Sequence, residues 1–121
     1  MAVIELTSAN FKQVIDENSM VIIDFWATWC GPCQSFAPIF EAAAEKNADI
    51  VFAKVNTESE QELASQFQIR SIPTLMVAKE QIIVFSQAGA LPASALDQLL
   101  EQIKTLDMDK VRADIAAEQN S

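Results

Sequence analysis

Apolar positions change period several times along this chain, and each change marks an element. Residues 20–27 form a near-continuous apolar run broken by Asp24, the pattern of a central strand covered on both faces. Residues 3–6 read as a short first strand and residues 49–56 as a later one. Between the first two strands Phe11, Val14 and Ile15 fall on one helical face, with Thr7 or Ser8 as the cap. A longer helix is expected over residues 30–47, with Phe36, Phe40, Ala43 and Ala44 turned inward and a kink at Pro38. Ser59-Glu60-Gln61-Glu62 has capping-box spacing and opens a short helix carrying Leu63 and Phe67. Residues 74–78 and 82–85 make a hairpin around Lys79-Glu80-Gln81. A helix from Pro92 then places Leu96, Leu99, Leu100 and Ile103 on one stripe. The order β-α-β-α-β-α-β-β-α predicts an α/β fold with a central mixed five-stranded sheet flanked by helices on both faces. Beyond residue 106, Met108, Val111 and Ile115 keep helical spacing behind Asp107 or Asp109. Residues 1–106 are therefore read as the domain and residues 107–121 as a helical C-terminal extension.

Composition narrows the class. The 121 residues suffice for one domain with a real core, and the 50% apolar and 21% charged content is that of a soluble globular protein. No apolar stretch reaches the length of a membrane span, and the first residues lack a basic segment followed by an apolar one, so no secretory signal is expected. A net charge of −9 repels phosphate backbones, which disfavours nucleic-acid binding. The chain has two cysteines and no histidine. A closed Cys/His zinc site, covalent haem attachment and histidine-dependent hydrolysis are all excluded by that count.

The two cysteines stand in Trp29-Cys30-Gly31-Pro32-Cys33, between the apolar strand and the long helix. Cysteines at this spacing close a disulfide across one turn, and so small a loop constrains the unfolded chain little, which suits a bond made and broken rather than a staple. Gly31-Pro32 supplies one permissive and one rigid residue, with proline at a tolerated early helical position. Helix N-terminal amides favour negative charge, so Cys30 is the expected thiolate and nucleophile and Cys33 the resolving thiol. A redox-inert pair and half a metal site are the plainer alternatives. Asp24, amid Val21, Ile22, Ile23, Phe25 and Trp26, is costly to bury as an anion and is expected to have a raised pKa.

The segment from Asp24 to Cys33 closely resembles the thioredoxin-family signature. The likeness continues through Ala53-Lys54-Val55-Asn56, Ile69-Arg70-Ser71-Ile72-Pro73-Thr74-Leu75 and Gly89-Ala90-Leu91, covering residues 4–106. The resemblance implies the thioredoxin fold and a Pro73 in cis that faces the dithiol and leaves the Ile72 backbone free to pair with an extended substrate. It implies that Asp24 lies behind Cys33 and moves its proton, with Lys54 tuning the acid. Trp29, Gly31, Pro32, Ile72, Pro73, Ala88 and Gly89 then form the substrate-binding rim, while Trp26 packs beneath it. The two glycines, Gly31 and Gly89, both fall inside these matches.

The chain departs from the family pattern in four places. The hairpin turn at Lys79-Glu80-Gln81 lacks glycine, which leaves its type and register open. Ser71 stands where glycine is frequent, Gln34 replaces a usual Lys or Arg beside the dithiol, and the extension past residue 106 has no counterpart in the minimal domain. Packing of that extension on the body is the expectation.

The resemblance implies a protein-disulfide reductase, cytoplasmic and monomeric, with no bound cofactor and no metal. It takes electrons from NADPH through a thioredoxin reductase and passes them to disulfide-containing client proteins. The absence of a histidine between the cysteines separates it from oxidising relatives of the same fold. The competing reading is a thioredoxin-fold binding or chaperone module with secondary redox activity.

Overall fold

Strand β2, Met20–Trp26, carries apolar side chains on both faces and occupies the middle of the sheet. In the computed structural model, which describes residues 2–120, it is joined by β1 (Val3–Glu5), β3 (Val51–Asn56), β4 (Thr74–Lys79) and β5 (Ile82–Ala88) in the order β1-β3-β2-β4-β5. β1 and β2 each run parallel to β3. β4 runs antiparallel to β2, and β5 antiparallel to β4, with a register irregularity at Val77/Ala78. The mixed five-stranded sheet is thus the thioredoxin fold, with helices on both faces.

Alternation along the strands divides the core in two. Ile22, Phe52, Leu75 and Val77 meet Phe36, Phe40, Ala43 and Ala44 of α2 (Gly31–Lys46) and Leu96, Leu100 and Ile103 of α4 (Ala93–Lys104). Val21, Ile23, Phe25, Ala53, Val55 and Met76 meet Phe11, Val14 and Ile15 of α1 (Phe11–Glu17) and Leu63 of α3 (Gln61–Gln66). Aromatic rings fill the thickest part of each layer. Phe40 lies between Phe36 and Phe52 at 5.8 and 5.2 Å, and Phe67 lies 5.3 Å from Phe11. α2 runs unbroken through Pro38, which has no N–H to give the Gln34 carbonyl.

Two helix starts differ from expectation. Neither Thr7 nor Ser8 caps α1; residues 7–10 form a turn of their own, and the N-cap is Asn10. Asn10 turns its Oδ1 back to accept the Thr7 N–H at 2.8 Å, so it makes no cap bond. The capping box at Ser59 does not form either. The Ser59 hydroxyl donates to the Asn56 carbonyl at 3.3 Å, α3 begins after Glu60, and the Glu60 carboxylate accepts the Ser8 N–H at 2.9 Å. In both places a turn or a long-range partner takes the side chain that local spacing assigns to the helix. The strand ends also shift: β3 starts at Val51 because Ile50 closes a turn onto Asn47, and β5 continues to Ala88.

The glycine-free hairpin holds both Glu80 (φ 50°) and Gln81 (φ 70°) at positive φ, the backbone that tight hairpin turns demand. Outside contacts hold it there. The Glu80 N–H donates to the Ser19 carbonyl at 2.7 Å, and the Glu80 carboxylate pairs with Arg112 at 2.6 Å. Lys79 donates to the carbonyls of Ile103, Lys104 and Leu106 at 2.7, 3.0 and 3.2 Å, closing the C-terminal end of α4. The extension forms α5 (Met108–Gln119), capped by Asp107, whose carboxylate accepts the N–H groups of Asp109 and Lys110. Met108 is its one buried residue, while Ile115 is exposed.

α5 therefore supports the hairpin end of the sheet, at the far end of β4 from Pro73. Deleting residues 107–121 should lower stability by about 2 kcal/mol, the burial of one Met-sized side chain, and leave the chemistry at Cys30 unchanged. Denaturant midpoints and disulfide turnover of the truncated chain check both expectations.

Candidate active site

The geometry begins where β2 runs out. Ala27 is buried, Thr28 and Trp29 are exposed, and α2 starts at Gly31 with Pro32 in its first turn. Cys30 occupies the N-cap, and its Sγ accepts the Cys33 N–H at 3.2 Å. Cys30 and Cys33 form a disulfide with their Cα atoms 5.2 Å apart. Both are almost wholly buried, yet Trp29 beside them is 71% exposed. A large aromatic thus stands in water next to a buried disulfide.

The second wall comes from the segment before β4. The Ile72–Pro73 peptide bond is cis. The Ile72 carbonyl oxygen lies 3.8 Å from Cys30 Sγ. The loop is tied at both ends: the Thr74 hydroxyl donates to the Ser71 carbonyl at 2.6 Å, and the Gly89 N–H donates to the Pro73 carbonyl at 2.8 Å. Gly89 takes φ +104°, a backbone that side-chain-bearing residues rarely adopt. Ala88 pairs with Thr74 across β4–β5 and is exposed beside it. Trp29, Thr57, Ile69, Arg70, Ser71 and Ile72 enclose a groove of about 190 Å³ next to the cysteines.

Asp24 shares its β2 face with Ile22, the face α2 covers, and is only 4% exposed. Among the described residues one carboxylate oxygen, Oδ1, finds no hydrogen-bond partner. Burial pushes its pKa up to about 7, with the Lys54 charge pulling the other way. Lys54 is the register partner of Asp24 on β3, but no ion pair closes between them among the described residues. The ammonium sits instead 5.0 Å from the centre of the Trp26 ring. The Trp26 indole N–H is likewise buried without a partner.

Two further side chains belong to this end of the molecule. Glu58 accepts both the backbone N–H and the hydroxyl of Thr28, at 3.0 and 2.6 Å. These bonds hold the Glu58 carboxyl below the usual range. Gln34 donates to the Thr28 carbonyl at 2.8 Å. Sequence reasoning saw in Gln34 only a missing charge and passed over Thr28 and Glu58, since no local spacing signals a pair so far apart in the chain.

A disulfide closed across the first turn of a helix and buried beside an exposed aromatic is the working centre of a thiol–disulfide oxidoreductase. Comparison with known proteins agrees. The family model described as Thioredoxin matches residues 2–102. The chain is 54% identical over 116 residues to "Putative thioredoxin 2" of Streptomyces coelicolor, covering 96% of this chain and 87% of that one. It is 44% identical over 103 residues to thioredoxin 1 of a Nostoc species, covering 84% and 96%. The solved structure of Plasmodium falciparum thioredoxin superposes with a TM-score of 0.76 at 38% identity, over 82% of this chain and 96% of that one. The chain belongs to the thioredoxin family. Among the described residues no helix is long and apolar enough to cross a membrane, and no cluster of three or more His, Cys, Asp or Glu side chains could hold a metal ion.

Asp24 gives stability a pH dependence of defined sign. The folded chain keeps the Asp24 proton to about pH 7, whereas the unfolded chain releases it near 3.8. The unfolded state binds fewer protons between those values, so stability falls as pH rises through that window. The penalty is absent below about pH 4 and complete above about pH 8. Asp24→Asn cannot ionise, so its stability relative to wild type should improve by up to about 4 kcal/mol between those two pH values. Denaturant unfolding of both oxidised proteins at the two pH values measures this, and a difference independent of pH would count against a buried, raised Asp24.

Proposed function

We propose that this chain is a protein-disulfide reductase in which Cys30 attacks, Cys33 resolves and Asp24 handles the Cys33 proton. The observation that carries the reading is the buried Cys30–Cys33 disulfide at the α2 N-terminus, flanked by the exposed Trp29. In the reduced protein the helix amides and dipole favour a thiolate at Cys30, which already accepts the Cys33 N–H in the disulfide state. That thiolate attacks one sulfur of a client disulfide; a Cys30–client bond forms, the client S–S bond breaks, and the first client sulfur leaves as a thiolate. Cys33 then passes its proton to Asp24 and attacks Cys30 Sγ. The Cys30–Cys33 bond forms, and the second client sulfur leaves. The client has gained two electrons and this protein has lost them. An acid with pKa about 7 can accept this proton near neutrality and return it when the pair is reduced again.

Lys54 serves in this reading as a nearby cation that keeps the Asp24 pKa from rising further. Trp29, Gly31, Pro32, Ile72, Pro73, Ala88 and Gly89 form the rim on which an extended client strand lies, pairing with the Ile72 backbone. The electrons return from NADPH through a thioredoxin reductase. The protein works as a monomer in a reducing, cytoplasmic compartment, where an open dithiol persists.

The test supplies NADPH, a bacterial thioredoxin reductase and a disulfide-bonded protein such as insulin. Wild type should turn over and Cys30→Ser should be inactive. Cys33→Ser should accumulate a mixed disulfide with the client, seen as a mass adduct lost on reduction. Absence of wild-type turnover with several reductases would sink the reading.

A further inference from the structure

Thr28 is held through every polar group it has. Its N–H and hydroxyl both go to Glu58 Oε1, at 3.0 and 2.6 Å, and its carbonyl accepts the Gln34 side-chain amide at 2.8 Å. The two holders come from different parts of the fold: Gln34 from the first turn of α2, Glu58 from the loop between β3 and α3. That loop is itself fixed. The Glu58 N–H donates to Asn56 Oδ1 at 2.9 Å, and the Thr57 N–H and hydroxyl donate to the Trp26 carbonyl at 2.8 and 3.0 Å. Residues 26–28 and 56–58 are thus laced together on the surface.

None of these bonds is required by the core, since Thr28, Glu58 and Gln34 are all exposed. What they fix is the next residue. Trp29, 71% exposed, is anchored on one side by the buried, disulfide-bonded Cys30 and on the other by Thr28, and with Thr57 it helps enclose the groove that Arg70, Ser71 and Ile72 close from the cis-proline side. Contacts pinned before a client arrives save the ordering entropy that binding would otherwise cost.

We propose that Glu58, acting with Gln34 through Thr28, is a positioning residue that pre-sets Trp29 and thereby the groove that receives a protein client. The inference rests on the reductase reading above and adds to it a determinant of client binding outside the signature. Glu58 bonds neither sulfur; its effect runs through Thr28. Loss of the clamp should therefore weaken reaction with a protein disulfide, which needs the groove, more than reaction with a small disulfide, which needs only the sulfurs.

The experiment compares insulin with 5,5′-dithiobis(2-nitrobenzoate) as oxidants of the reduced full-length protein. For Glu58→Ala the ratio of kcat/KM on insulin to that on the small disulfide should fall about fivefold, mostly through KM. Thr28→Val, which loses the hydroxyl bond and keeps the N–H bond, should show part of that fall, and the double variant should be no worse than Glu58→Ala alone, because the bond lost in Thr28→Val is among those Glu58→Ala removes. Glu58→Gln, whose amide oxygen still accepts, should recover most of the ratio, and it carries the test if Glu58→Ala melts early. Equal losses on the two oxidants, an unchanged ratio, or additive effects of Thr28→Val and Glu58→Ala would overturn the clamp. Failure of wild type to reduce insulin would overturn the reductase reading itself, so the two failures are told apart.

Discussion

Strand β2 has to satisfy two hydrophobic layers at once, and the placement of everything else follows from how it does so. Val21, Ile23 and Phe25 feed the layer under α1 and α3; Met20 and Ile22 feed the layer under α2 and α4. Hydrogen-bonded to β3 on one side and β4 on the other, the strand has no edge and no freedom of register. Its C-terminal end is therefore a fixed point, and α2 has to start within a few residues of it to return over Ile22 and deliver Phe36 and Phe40 to Phe52. The position of Cys30 at the helix N-cap is a consequence of that packing. Asp24 is the one member of the strand that breaks the rule, an acid on the α2 face with an oxygen left unpartnered. Its burial costs stability over the working pH range, a cost that fits the proton-handling role proposed for it.

Around that fixed point the site is made of loops, each tied to the scaffold by a few hydrogen bonds as well as by the packing of Ile72 on Ala27, Cys30 and Cys33. Thr57 holds the end of β2, Glu58 and Gln34 hold Thr28, and Gly89 holds Pro73. This division of labour lets the surface stay apolar and accessible at Trp29 without becoming loose. The sulfurs stay covered in the disulfide state while the aromatic beside them remains in water.

How much of this could be read from the chain depended on the range of the forces involved. The residue 20–27 run, the inward Phe36 and Phe40 and the Leu96-Leu100-Ile103 stripe are periodic patterns imposed by burial, and the elements formed where those patterns lie. Helix starts were less legible, because Asn10 and Ser59 spend their side chains on Thr7 and Asn56, contacts that compete with capping at the same spacing. The hairpin turn could not be assigned from Glu80-Gln81 at all. Its positive φ values are maintained by Ser19 and Arg112, one preceding the turn by many residues and the other in α5. The disulfide pair stood out in the sequence; the Glu58–Thr28 contact did not, since nothing in either residue's neighbourhood names its partner.

The two ends of β4 show the resulting polarity. At the Lys79 end the ammonium has three carbonyl partners, Glu80 has Arg112, and strain in the turn is met by contacts from α5. Toward the Thr74 end lie the buried polar atoms that the described residues leave without partners, on Asp24 and Trp26. Buried polar groups in native proteins bond to protein or to ordered water, and these two find no partner among the described residues. A carboxyl without a protein donor, its pKa held near 7 by burial, suits the proton transfer proposed for Asp24. A fully bonded Asp24 would be a more stable residue and a poorer acid–base partner.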